Sequence, residues 1–274
     1  MNLPSTFIGW LGYVIRNSGM SMLEGAGNTL LIAFIATAVG CLIGLVIGIL
    51  NTIPIEKNNH LARKIVLRTV RIILGVYIEV FRGTPMMAQG AFIYFGLITF
   101  GVPIDRFVAA LIIVSINTGA YMSETVRGGI LSIDPGQTEG AKAIGMTHFQ
   151  SMINVILPQA LRNIMPQIGN NLIINIKDTC VLSIIGVFEL MLASRSAAGA
   201  NYRFFETYTV TMVMYLAMTI FFSRILRLIE KKMEGNKSYD LATHDTLAHT
   251  SGMTRYRGGE DKRGARVYLR CAAW

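Results

Sequence analysis

The chain has 274 residues, of which 52% are hydrophobic and only 15% charged. A soluble domain of this length carries about 25% charged residues, so a single water-soluble globule is excluded; disorder over most of the length is excluded by the high hydrophobicity. The net charge of +9 comes from 25 basic and 16 acidic residues, and their placement decides between nucleic acid, an anionic membrane face and membrane topology. Cys41, Cys180 and Cys271 form no CxxC pair and no disulfide framework. The four histidines, His60, His148, His244 and His249, are scattered and suggest no metal site.

Residues 25–55 carry no charge, and their core, 29–50, is long enough for a hydrocarbon layer that needs about 20 apolar residues. The region before it offers only Arg16 and Glu24, not the basic start and short apolar centre of a cleavable signal, so a retained span is expected. Gly40, Gly44 and Gly48 recur every four residues and give that helix a face that another helix can approach closely. Lys57, Arg63, Lys64, Arg68 and Arg71 follow against Glu56 alone. The positive-inside rule assigns this cluster to the cytoplasm and the N-terminus to the outside.

A second helix is expected from about 72 to 100, its first turns in the interface and its middle kinked at Pro85. Glu79 and Arg82 are spaced to pair on one face of it. The competing reading breaks the element at Gly83-Thr84-Pro85. A short outer turn at 101–105 leads to a third span, 106–126, returning inward. Residues 127–168 are then cytoplasmic. They include the uncharged run 143–161, whose His148, Gln150, Asn154, Pro158 and Gln159 would leave polar groups unsatisfied in lipid. A fourth span at 169–192, an outer loop to Glu206 and a fifth span at 207–229 follow, the last ending in Arg224, Arg227, Lys231 and Lys232. Residues 235–274 have no apolar period and hold 7 basic and 4 acidic residues, which is the composition of a flexible, solvated appendage.

The cytoplasmic region carries the most specific pattern. Asp134-Pro135-Gly136 is a turn, residues 138–143 can start a short helix, Gly145 supplies a permissive break, and a helix resumes over 149–157. Two short helices at a membrane surface form a natural docking element for a partner protein. Glu139-Gly140-Ala141, then Gly145, then Leu157-Pro158 resembles the EAA loop of ATP-binding-cassette (ABC) importer permeases. The surroundings resemble the polar amino-acid branch: Gly27-Asn28-Thr29, Phe81-Arg82-Gly83-Thr84-Pro85, Glu124 with Arg127-Gly128-Gly129, Leu157-Pro158-Gln159-Ala160 and Lys177-Asp178-Thr179, in order over 28–230. Two positions depart from the pattern: Gly140 stands where the family has alanine, and Cys180 where it usually has serine.

The resemblance implies an all-α integral membrane protein of about five transmembrane helices with a cytoplasmic coupling loop, of the type I ABC importer permease kind. It covers a permease domain over 28–230; an extracytoplasmic segment, 1–27, is expected before it, and the basic tail, 235–274, has no counterpart in the family. The implied location is the bacterial inner membrane, multi-pass, with the N-terminus outside and the C-terminus cytoplasmic. The implied partners are an ABC ATPase dimer, a second permease subunit (identical or related) and an extracytoplasmic amino-acid-binding protein; no nucleic acid is expected. ATP and magnesium would be bound by the ATPase, and no cofactor by this chain, which contains no GxxxxGK[ST] phosphate loop. Glu139, Gly140, Ala141, Gly145, Leu157 and Pro158 would couple to the ATPase. Asn117, Thr118, Glu124, Lys177, Asp178 and Thr179 are candidates for the translocation path, because polar and charged groups within spans default to functional roles. The same residues could instead tie helices together, Lys177 and Asp178 by pairing with each other or with Glu124 and Arg127. A secondary transporter or channel would want an inverted repeat, and five spans do not halve. A membrane enzyme would want a catalytic cluster, and Glu79, Glu124, Asp178 and Glu189 are widely separated in sequence.

Overall fold

The computed structural model describes residues 5–54 and 61–233. Lys57 and Glu56 of the first basic cluster, and the tail 235–274, lie outside the described residues. The described elements are helical: α1 (Phe7–Thr52), α2 (Leu61–Gly83), α3 (Met86–Thr99), α4 (Arg106–Leu131), α5 (Pro135–Ala143), α6 (His148–Ser151), α7 (Leu157–Asp178), α8 (Leu190–Asn201) and α9 (Phe204–Met233). A π-type turn, Met152–Ile156, joins α6 to α7 without a break, and a 3-10 segment, Thr179–Ile185, follows α7.

Helix α1 has 46 residues, about 69 Å at 1.5 Å per residue. The helix runs without a break through the position, 27/28, where the sequence suggests a boundary. Residues 7–27 contain no proline to end the helix, and Trp10, Val14 and Met22 are buried; Val14 and Met22 pack with Leu190 and Ala193 of α8 and with Val210 and Met214 of α9. Arg16 is exposed, so the charge does not interrupt the buried side.

The glycine stripe has found its partner. A Cβ on Gly40 would lie 2.5 Å from Thr118 Cβ, and one on Gly48 would lie 2.6 Å from Val126 Cγ1; Gly44 faces Met122 in the same way. The pairs 40/118, 44/122 and 48/126 advance together, so α1 and α4 run parallel in direct backbone contact, as small residues every four permit. In the other register, Ile164 of α7 faces Gly129 while Asn175 reaches Thr118, so α7 is antiparallel to α4. Gln89 meets Asn117 and Tyr94 meets Arg106, so α3 is antiparallel too. Ring pairs Phe7–Phe205 and Phe34–Phe222 set α9 parallel to α1. The directions thus alternate along the chain, and among the described residues Phe7–Thr52, Arg106–Leu131 and Phe204–Lys232 are long and apolar enough to cross a membrane.

Two elements differ from expectation. The second pass begins by Leu61, not near Ile72, and it is two helices. Lys64, Arg68 and Arg71 share one face of α2, and apart from Arg63 the opposite side of its first turns is largely apolar, which allows it to form in an interface. The break falls at Thr84 and Pro85, since proline cannot donate to the turn before it. Glu79 and Arg82 make no ion pair; the Arg82 guanidinium instead lies over the Tyr121 ring, 5.5 Å from its centroid. The fourth pass is not one helix over 169–192: α7 ends at Asp178, and Gly186 takes a left-handed φ of +77° that ends the 3-10 segment. What was expected as an outer loop contains α8, capped by the Glu189 carboxylate, which accepts from the Met191 and Leu192 N–H groups at 2.7 Å each.

Candidate functional site

Three groups of residues stand out: the α5 element, the polar ties inside the bundle and an exposed charged face.

Helix α5 begins three residues after α4. Asp134 caps it, accepting from Gly136 N at 2.6 Å, and Pro135 occupies a first-turn position where no donor is needed. Its end is a left-handed cap. Gly145 has φ +84°, its N–H bonds Lys142 O at 2.9 Å, and Met146 N–H bonds Ala141 O at 3.1 Å. This is the paired bonding that a C-terminal glycine provides, and it gives the glycine of the motif a local physical reason. Ala141 is buried, whereas Glu139, Gly140 and Gly145 are exposed. Within the subunit, among the described residues, Glu139 has no ion pair or hydrogen bond. With Lys142 and His148 it lines a cleft of about 360 Å³ that reaches Ile130, Met152 and Ile156. A capping box between Thr147 and Gln150 starts α6. Leu157 and Pro158 open α7, and Gln159 next to them donates to the Gln137 side chain of α5 at 3.3 Å. The six residues expected at the coupling loop therefore lie on one connected surface element. Beside them Ile144 is 79% and Phe149 71% exposed, two large apolar side chains presented next to α5.

The path candidates divide. Asn117, Thr118 and Thr179 are buried. Asn117 donates to Gln89 Oε1 at 2.9 Å and to Phe81 O at 3.2 Å. Thr118 Oγ1 accepts from Asn175 Nδ2 at 2.9 Å, and the same amide reaches Thr37 Oγ1 at 2.7 Å, so one asparagine ties α1, α4 and α7. Thr179 donates to Ile176 O at 3.1 Å. These three are interhelical or local ties, not an open lining. Glu124, Lys177 and Asp178 are on the surface of the subunit. Glu124 pairs with Arg127 at 2.8 Å, one turn along α4. Among the described residues, Lys177 and Asp178 make no ion pair with each other or with that couple.

Sequence reasoning missed Gln89, Asn175 and Glu189. Gln89 Nε2 meets the carbonyl oxygens of Phe81 (2.9 Å) and Thr84 (2.8 Å), which the break between α2 and α3 has released. Its proximity to Pro85 was the available signal. Two residues of the Gly27-Asn28-Thr29 motif find partners: Asn28 Nδ2 donates to Phe188 O at 3.0 Å and Thr29 Oγ1 accepts from Leu190 N at 3.2 Å, whereas Gly27 has open space around it. A Cβ on Gly25 would lie 2.9 Å from the Glu189 carbonyl carbon.

Long apolar helices, buried side-chain ties between them and a short helix presented beyond the bundle are the features of a helical membrane protein. The family model of binding-protein-dependent transport system inner membrane components matches residues 61–235. The chain is 40% identical over 215 residues to the glutamine transport system permease protein GlnP of Escherichia coli strain K12, covering 78% of this chain and 93% of that one. It is 33% identical over 216 residues to the arginine transport system permease protein ArtQ of Bacillus subtilis strain 168, covering 78% and 93%. A crystal structure of an amino acid ABC transporter with histidines superposes with a TM-score of 0.71 at 34% identity, over 84% of this chain and 99% of that chain. The MetNI methionine ABC transporter, 22% identical, shares the fold at a TM-score of 0.64. The chain belongs to the family of binding-protein-dependent transport system inner membrane components, and it is a multi-pass inner-membrane permease of the ABC class.

Proposed function

We propose that this chain is the transmembrane subunit of an ATP-driven amino-acid importer, and that α5 is where a separate ATPase pushes. The observation that carries the reading is α5 itself: a capped, solvent-exposed helix with an unpartnered Glu139, a left-handed Gly145 and exposed Ile144 and Phe149 beside it. Those apolar side chains at a membrane surface suit a protein partner. ATP and magnesium belong to that partner. An extracytoplasmic binding protein would deliver substrate, and a second permease subunit would complete the path. The substrate class follows from the relatives named for glutamine and arginine transport, with glutamine the first to test. The basic residues of α2 and the end of α9 support an orientation with the N-terminus outside and the C-terminus in the cytoplasm.

The test is reconstitution in vesicles with a partner ATPase and an amino-acid-binding protein, followed by uptake of a panel of radiolabelled amino acids. ATP-dependent uptake of glutamine or arginine is expected. Uptake that needs no ATP but follows an ion gradient would overturn the reading in favour of a secondary transporter.

A further inference from the structure

We propose that a phospholipid of the leaflet away from α5 seats one acyl chain between α1 and α9 and rests its phosphate on Arg203.

The inference starts from the excess length of α1. Its 46 residues make about 69 Å, more than twice a hydrocarbon layer of about 30 Å. The part before residue 25 is two-sided. Arg16, Asn17, Ser21 and Glu24 are exposed along one flank. Ile15 and Leu23, also exposed, lie on the other with Gly19 between them. Such a helix sits at the boundary of water and lipid, its polar flank to water. Helix α1 runs parallel to α4, and α5 follows α4, so this part lies at the end of the bundle away from α5.

The apolar flank is one wall of a groove. Leu11, Ile15, Gly19 and Leu23 of α1 face Val210 and Val213 of α9 across about 480 Å³. From Leu11 to Leu23 is about 18 Å, against about 15 Å for half of the hydrocarbon layer. Gly19 keeps the groove open: a Cβ there would meet only Ile15 Cγ2 of its own helix, 3.8 Å away. Among the described residues the lining has one polar side chain, Thr209, whose hydroxyl already donates to Phe205 O at 2.7 Å. Ordered water needs several polar partners and finds none free here. A hydrocarbon chain needs none.

The end of the groove at Leu11 makes the occupant a phospholipid. Trp10, which stacks edge-on with Tyr13, and the exposed Tyr202 stand there, as such side chains do at a membrane–water interface. The Arg203 guanidinium lies over the Trp10 ring, 4.5 Å from its centroid. Its carboxylate neighbour, Glu206, is 3.7 Å from Nη1, beyond hydrogen-bond reach. Among the described residues the guanidinium donates no hydrogen bond, so its five N–H groups remain unspent. The Trp10 indole N–H, buried beneath it, has no acceptor either. A phosphate offers the anionic oxygens that a guanidinium binds best, and the aromatic side chains mark the depth at which phospholipid phosphates stand. A charge that wants an anion and a groove that wants a chain are thus satisfied by the two ends of one molecule.

The test is photocross-linking of the full chain in vesicles, using phosphatidylglycerol with a diazirine on one acyl chain. Cross-links are mapped by mass spectrometry, with unlabelled phosphatidylglycerol or diacylglycerol as competitor. The wild type should be labelled around residues 15–23 and 210–214 at a site that saturates. Phosphatidylglycerol should compete about 10- to 100-fold better than diacylglycerol, the range for a hydrogen bond to a charged group. Arg203→Gln should bring the two competitors within about twofold of each other. Gly19→Leu, which fills the groove from a position whose Cβ meets no other helix, should cut the labelling about tenfold. Gly12→Leu, on the same helix and also open, should leave it unchanged. Labelling that never saturates, equal competition by both lipids in the wild type, or full labelling of Gly19→Leu means ordinary surrounding lipid and overturns the site. Absence of labelling at these residues means that protein covers the groove, and overturns it as well. Arg203→Gln leaves the groove intact and decides the phosphate assignment should Gly19→Leu fail to insert.

Discussion

The Asn117 side-chain amide donates to Gln89 across 2.9 Å, in the bundle interior beside the break between α2 and α3. Two side chains thus do for the released Phe81 and Thr84 carbonyls what the helix would have done. Irregular backbone at membrane depth persists only where such partners exist. Replacing Gln89 by Leu leaves the Thr84 carbonyl without its donor and the Phe81 carbonyl with Asn117 alone, and should cost about 1–3 kcal/mol. Thermal unfolding in detergent reads it; an unchanged midpoint would mean that the amide is not what holds the break.

The α1–α4 contact gives a second prediction. Gly44→Ala places a methyl group against Met122, whose carbonyl carbon would be 2.8 Å away. Overpacking of this kind costs about 1–3 kcal/mol. Gly12→Ala, where a Cβ meets nothing within 4 Å, should be neutral or slightly stabilising, because alanine favours a helix by up to about 1 kcal/mol. Two variants with equal melting behaviour would refute the packing account.

The two coupling-loop glycines should respond with opposite sign. Gly140 has open space around it, and Gly140→Ala restores a helix former worth about 0.5–1 kcal/mol. Gly145 sits at φ +84°, where a Cβ costs about 1–2 kcal/mol. Gly145→Leu should therefore distort the end of α5 and lower ATP-driven uptake while the protein still reaches the membrane; uptake per inserted molecule decides it.

Glu189 caps α8 from a fully buried position and accepts from Tyr215 at 3.0 Å. Glu189→Leu removes the cap, at about 0.5–2 kcal/mol, and strips the tyrosine of its acceptor. Faster hydrogen exchange at the first amides of α8 is expected. Protection equal to wild type would show that packing alone holds this helix.

Much of this was legible in the sequence, for identifiable reasons. The core of the first span, the glycine stripe, the Asp134 turn and the Gly145 break follow from local chemistry, and the structure bears them out. The N-terminal half of α1 did not show, because Arg16, Asn17, Ser18 and Glu24 lower its hydropathy while its buried residues answer to α8 and α9. Helix α8 is short and rich in Ser and Ala, and nothing local separates it from a loop. The break at Pro85 was visible as an alternative, but what stabilises it was not: Gln89 and Asn117 are 28 residues apart in sequence, and only folding makes them neighbours. Asn117 and Thr118 looked equally suited to a path or a tie, since an uncharged polar side chain in a span fits both until its partners are seen.

The parallel seating of α1 on α4 has a mechanical meaning. Gly40, Gly44 and Gly48 leave no side chain between the two backbones, so neither helix can slide along the other without a collision at Thr118, Met122 or Val126. Helix α5 hangs from the end of α4 by three residues. Under the proposed coupling role, a thrust delivered to α5 would have almost no slack in which to dissipate. It would meet a closely seated pair of helices, which through Asn28 and Thr29 grips the segment leading into α8. Helix α5 and the far side of the bundle are joined in series, like the two ends of a lever.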